Sequence, residues 1–223
     1  TILDHLIDQL KTIPDIDHVY LVTNHRFYGH FADWAQQRAS KGQASGQAHT
    51  GMHIDILDDG TSSNDDRLGA VGDIRFVIDA RGIQDDTMVL AADNILQFPL
   101  KDFVFTYKSN PAAHICVRFN DDIEDQKRRG NAVLDEQNRV TQFIEKPDQP
   151  ISQWSVPPFY IYPSSVLPRM AEYLDGGGNP DAPGHLIEWL HKIEAVYAHK
   201  IEGKILDIGN HESLAEARDF FAK

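Results

Sequence analysis

Met88-Val89-Leu90-Ala91-Ala92-Asp93-Asn94 is the stretch that decides how this chain is read. Five apolar residues closed by a carboxylate and an amide describe a strand buried on both faces, because half-exposed strands alternate polar and apolar positions instead. Upstream, His18 to Thr23 (HVYLVT) is a second such run, and His53 to Leu57 alternates like a strand. Around these the spacing turns helical. Ile2, Leu3, Leu6, Ile7 and Leu10 recur at helical intervals behind Thr1 and Asp4, a capping-box-like start, and helices are expected over 28–39 and 68–80. Downstream, a helix is expected near 99–108, then strands over 113–119, 131–135 and 139–145. The last two are joined by Glu136-Gln137-Asn138, a hairpin-like connection. Strands at 159–162, 196–201 and 205–208 and helices at 164–174, 186–193 and 212–221 complete the chain. Gly176-Gly177-Gly178 follows a helix rather than a strand, which suits a helix end more than a phosphate loop. Alternating strands and helices with an inserted hairpin predict one α/β domain over 1–223, with a Rossmann-like, mixed, mostly parallel sheet flanked by helices.

A chain of 223 residues, 41% hydrophobic, can bury a real core. Its formal charge of −13 repels nucleic-acid backbones and anionic membranes, and only Lys127-Arg128-Arg129 offsets it locally. A nucleic acid polymer is therefore not an expected partner, while a small anionic substrate is allowed where metal or local cations screen it. No run of eighteen apolar residues exists, so no membrane span is expected. The single cysteine, Cys116, lies in an apolar run and reads as a core thiol in a cytoplasmic protein.

In open α/β sheets ligands bind beyond the carboxyl ends of the strands, so polar residues there are the first candidates. Asp93 is one, with a turn or helix cap as its plain structural reading. Glu145-Lys146-Pro147 ends the hairpin with a hydroxyl acceptor, a point charge for phosphate and a strand stop; a surface ion pair is the alternative. Asp207-Ile208-Gly209-Asn210 follows the last strand, with Asn210 placed as a helix cap. Two separated aspartates suit Mg2+, which takes one or two protein carboxylates and fills its other positions with water and phosphate oxygens. His49 and His53 have metal-compatible spacing but no acidic or thiol partner in register, and read as exposed histidines. Asp121 to Asp125 reads as a solvated turn.

Taken in order, LAADN (90–94), GNAVLDEQNRVTQFIEKP (130–147), PFYIY (158–162) and ILDIGNHESLAEA (205–217) resemble the sugar-1-phosphate nucleotidyltransferase family, with glucose-1-phosphate thymidylyltransferases and adenylyltransferases among its members. LGAVG (68–72) is similar to the family segment beside the nucleotide base. The resemblance implies that Asp93 and Asp207 hold Mg2+ against the phosphates and that Lys146 sits on the sugar phosphate. It also implies that Glu145 bonds sugar hydroxyls, Gly130 lets backbone approach the sugar, Tyr160 walls the sugar pocket and Gly69 lies under the base. Asn94 is grouped with the substrate-binding residues. The implied partners are a nucleoside triphosphate and a sugar 1-phosphate, with a homo-oligomer compatible with both. The family's glycine-rich phosphate loop has no counterpart in the sequence, which predicts that the natural chain continues upstream of Thr1. On that expectation, His18–Thr23 and Met88–Ala92 would flank an open strand position. The alternatives are a non-catalytic sugar-nucleotide-binding homologue and a glycosyltransferase, whose Asp-x-Asp motif is replaced here by Ala91-Ala92-Asp93-Asn94.

Overall fold

The structure, a computed structural model, describes residues 1–44, 52–209 and 211–221. His49 and the predicted cap Asn210 lie outside the described residues. The chain opens with α1 (Ile2–Leu10), β1 (His18–Thr23), α2 (His25–Ala44), β2 (His53–Asp58), α3 (Ala70–Arg81) and β3 (Thr87–Leu90). Next come β4 (Asn94–Leu96), α4 (Leu100–Ser109), β5 (Ala113–Phe119), α5 (Ile123–Gln126), β6 (Gly130–Leu134) and β7 (Val140–Glu145). The remainder holds β8 (Trp154–Val156), β9 (Phe159–Tyr162), α6 (Leu167–Asp175), α7 (Pro183–Leu190), β10 (Val196–Lys200), β11 (Ile205–Asp207) and α8 (His211–Phe221). Among the described residues no helix is long and apolar enough to cross a membrane.

Local chemistry sets the helix ends. Thr1 Oγ1 accepts from the Asp4 amide at 3.2 Å and donates to the Asp4 carboxylate at 2.6 Å, the expected capping box; such caps contribute about 1 kcal/mol. α2 starts three positions before its periodicity suggests, because Asn24 Oδ1 takes the Phe27 amide at 3.2 Å. Past α6, Gly176 and Gly177 form the helix exit, with Gly177 in the left-handed region at φ 83°.

The period-two alternation of central strands divides the core into two layers. Tyr160 and Tyr162 of β9 and Ala113, Ile115 and Val117 of β5 pack with Val71, Met170, Leu186 and Ile187, and so against α3, α6 and α7. Phe159, Ile161 and Cys116 point the other way, into a cluster with Leu6, Ile7 and Leu10 of α1 and Phe103 and Val104 of α4. Cys116 is fully buried, and burial raises its thiol well above the ordinary range, as a core thiol requires.

The main sheet has the order β3-β9-β5-β8-β6-β7, with β10 also on β5; β1–β2 and β4–β11 pair separately. It is mixed, as expected, but not mostly parallel. Among the described strands only β1–β2 and β5–β10 run parallel. β3 pairs antiparallel with β9 and ends at Leu90 rather than Ala92. Parallel neighbours need long crossovers, whereas β6 and β7 are joined by a short turn and pair antiparallel. β1 and β3 are also half-buried along their length rather than enclosed, and one edge of each meets no described strand. The predicted acidic turn is instead the short helix α5, capped by Asp122. Its Asp125 is half-buried, because Arg118, Arg129 and Asn120 converge on its carboxylate.

Candidate active site

The hairpin places Gly130 opposite Glu145 on one side and opposite Val156 of β8 on the other. A Cβ at Gly130 would stand 2.6 Å from Phe143 Cζ and 3.0 Å from Glu145 Oε2. At Gly184, in the first turn of α7, a Cβ would fall 1.8 Å from the same Oε2. Both glycines are therefore needed for the Glu145 carboxylate to lie where it does, between the hairpin and the start of α7. Burial pushes this carboxyl up to about 7; Lys146 acts against the rise and Glu188 adds to it. The Glu145 amide donates to Glu188 Oε2 at 3.3 Å. Tyr160 lies in the core at 3% exposure, and burial raises its hydroxyl well above the ordinary range, with the nearby Glu145 adding to the rise.

Lys146 turns the chain out of the strand in the left-handed region, at φ 46°. For a side chain other than glycine this costs about 1–2 kcal/mol, and such strain gathers at functional positions. The amide of Lys146 donates to the Arg129 carbonyl at 3.1 Å, and its side chain is exposed.

The two aspartates are brought together by a strand pair invisible in the periodicity. In the β4–β11 register Asp207 stands opposite Asn94, and the Ile208 amide donates to the Asp93 carbonyl at 2.9 Å. Both aspartates are exposed, while Asn94 is buried at 3%. Asn94 Nδ2 donates to Asp93 Oδ1 at 2.7 Å, so its amide supports Asp93. Strand pairing with β11 is the physical reason: it sinks the Asn94 side chain while leaving Asp93 in the turn. Among the described residues no group of three or more His, Cys, Asp or Glu is arranged to hold a metal. Two exposed carboxylates are nevertheless the donor set that Mg2+ accepts when phosphate and water complete its shell.

Gly69 precedes α3 at φ 78°, and a Cβ there would meet the Pro180 carbonyl oxygen at 2.5 Å. The Ala70 and Val71 amides donate to the Asp181 and Pro180 carbonyls at 3.2 and 2.9 Å. The LGAVG segment is thus tied to the loop that leads into Gly184 and the Glu145 cradle. Gly184 and Glu188 escape sequence reasoning because their roles appear only when α7 docks on β7. The Asp181-Ala182-Pro183-Gly184 run before a helix is the one local signal.

A family model described as "Nucleotidyl transferase" matches residues 1–223. Among curated proteins, the low-salt glycan biosynthesis nucleotidyltransferase Agl11 of Haloferax volcanii is 29% identical over 136 residues. That match takes in 60% of this chain but spans only 37% of the relative's length. Among solved structures, a UDP-glucose pyrophosphorylase complexed with UDP-glucose superposes with a TM-score of 0.78 at 16% identity, over 99% of this chain and 86% of the other. A Bacillus anthracis protein assigned as a glucose-1-phosphate thymidylyltransferase, in complex with a sucrose, gives 0.76 at 20% identity, over 98% and 81%. A UTP-bound UGPase from Acinetobacter baumannii gives 0.72 at 17%, over 99% and 81%. At these identities the structural likeness is one of fold.

Proposed function

The chain belongs to the nucleotidyl transferase family, and on that premise we propose that its whole protein transfers a nucleotidyl group from a nucleoside triphosphate to a sugar 1-phosphate. The observation that carries the reading is the Glu145 carboxylate, held between two glycines beside an exposed, strained Lys146. Two backbone positions without side chains give the Glu145 carboxylate its place at the end of the hairpin, where it can accept hydrogen bonds from the hydroxyls of a sugar.

In the proposed reaction an oxygen of the sugar phosphate attacks the α-phosphorus of the triphosphate. A new P–O bond forms, the bond between the α-phosphorus and the bridging oxygen breaks, and pyrophosphate leaves with the electron pair. No covalent enzyme intermediate is needed, so catalysis consists of positioning and charge neutralisation. Glu145 accepts from sugar hydroxyls, Gly130 leaves that carboxylate its room, and Tyr160 backs the pocket. Lys146 engages the sugar phosphate, and the Gly69 segment lies under the base. Asp93, oriented by Asn94, and Asp207 are the residues that would hold Mg2+, which when bound neutralises phosphate charge. Glucose 1-phosphate is the proposed acceptor, because two proteins of this fold carry glucose in their names.

Pyrophosphate release by the natural full-length protein, measured over a panel of nucleoside triphosphates with glucose, galactose, mannose and N-acetylglucosamine 1-phosphates, tests the reading. Release that depends on a sugar 1-phosphate, fastest with glucose 1-phosphate, is expected. Binding of a sugar nucleotide with no release from any pair would favour a non-catalytic homologue instead.

A further inference from the structure

We infer that Arg129 is a second phosphate-binding cation of this site, held ready by Asp125 and aimed between the sugar cradle and Asp207. The assignment rests on the nucleotidyl-transfer reading above. In the run Lys127-Arg128-Arg129 the structure separates the outer residues: Lys127 pairs with exposed Glu124 at 2.6 Å, whereas Arg129 turns inward, its side chain 23% exposed. Arg129 Nε donates to both carboxylate oxygens of Asp125 at 3.1 Å. That carboxylate is itself fixed by Asn120 Nδ2 at 2.9 Å, and buried Asn120 donates also to Ser155 Oγ at 3.0 Å. The guanidinium therefore hangs on a rigid mount through one of its five N–H groups.

Its other end is loosely engaged. Nη1 lies 3.8 Å from Asp207 Oδ2, an ion-pair distance too long for a hydrogen bond. Arg118 also reaches Asp125, at 3.3 Å, so two guanidiniums share this one carboxylate, and Arg129 has only the long contact to Asp207 besides, in a chain of net charge −13. A sugar phosphate is a dianion near neutral pH and needs such cations to approach an acidic protein. The backbone completes the placement: Arg129 immediately precedes Gly130, and its carbonyl takes the Lys146 amide. A phosphate on a sugar seated at Gly130 and Glu145, and directed toward Asp207, passes the Nη edge. There a phosphate oxygen replaces the long contact to Asp207 while Nε stays on Asp125, a two-ended role that the Arg fork fills and Lys cannot.

Calorimetric titration of the full-length protein with glucose 1-phosphate, together with competition by unphosphorylated glucose, tests this. Arg129→Met is expected to weaken glucose 1-phosphate roughly tenfold or more, the loss of one charge-assisted bond, with glucose unchanged. Arg129→Lys, which keeps charge and stem, covers the case in which the Met variant melts early; it should lose several-fold for glucose 1-phosphate alone. Equal loss for both ligands would mark a structural role and overturn the assignment, as would unchanged glucose 1-phosphate affinity in the variants. If the wild type itself binds no sugar 1-phosphate, the nucleotidyl-transfer reading falls first and takes this one with it.

Discussion

Replacing Glu145 by Gln should make the protein more stable at pH 8 while leaving it nearly unchanged at pH 5. Burial lifts the Glu145 carboxyl from 4.5 to about 7 in the folded protein. Between those values the folded state holds a proton that the unfolded state has lost, so stability falls as pH rises through this window and the full cost applies above about 7. At about 1.4 kcal/mol per pH unit the cost is about 3 kcal/mol. Partial solvent access and the start of α7, which favours the anion, reduce it, leaving about 1–3 kcal/mol. Glutamine keeps the shape, removes the charge and can donate to neighbouring Glu188. Urea unfolding of both proteins at pH 5 and pH 8 measures the difference, which at about 2–4 °C per kcal/mol also shows in melting temperature. A stability difference that is the same at both pH values would refute the reasoning, since it would mean that Glu145 does not carry its charge at a cost. The same variant should lose sugar 1-phosphate affinity, so the residue destabilises the fold where it serves the site.

Four further outcomes follow from the same geometry. Asp93→Ala and Asp207→Ala, with melting unchanged, should lose turnover by about a hundredfold or more, the scale of a lost charge-stabilising group; near-normal pyrophosphate release would refute the metal assignment. Gly184→Ala places a methyl 1.8 Å from Glu145 Oε2, so it should raise the sugar-phosphate KM with the nucleotide KM little changed. Gly69→Ala combines φ 78° with a 2.5 Å approach to the Pro180 carbonyl and should cost about 1–3 kcal/mol in urea unfolding. His114 is 1% exposed and burial lowers its pKa; stability from its neutral form is held at neutral pH and lost as pH falls below the unfolded value near 6.5, so His114→Asn should flatten the acid side of a urea-midpoint profile.

The periodic parts of the chain were legible. α1 with its capping box emerges where its helical period predicts it, and β1, β5, β9 and the β6–β7 hairpin emerge where apolar runs and a short polar turn predict them. β4 and β8 are three residues each, too short to show a period, and both are defined only by distant partners. The apolar run at 88–92 suggested enclosure in a parallel sheet, yet composition cannot tell which edge of a strand is paired or in what direction. At the candidate site, the residue types were readable and their support was not. Gly130 could be marked as a close approach, but Gly184 faces Glu145 only because α7 docks against β7. Arg129 looked like part of a surface basic run, and its turn toward Asp207 depends on the Asp125 mount. The bond from Asn94 to Asp93 likewise depends on the pairing with β11 that buries Asn94.

The most direct measurement of the central claim follows the label of a nucleoside triphosphate in the presence of glucose 1-phosphate and the full-length protein. The account predicts that an α-phosphate label moves into a nucleoside-diphosphate sugar while a γ-label leaves as pyrophosphate, and that Glu145→Gln and Asp207→Ala both suppress the transfer. Retention of both labels in the triphosphate, across every nucleotide and sugar phosphate supplied, would contradict it.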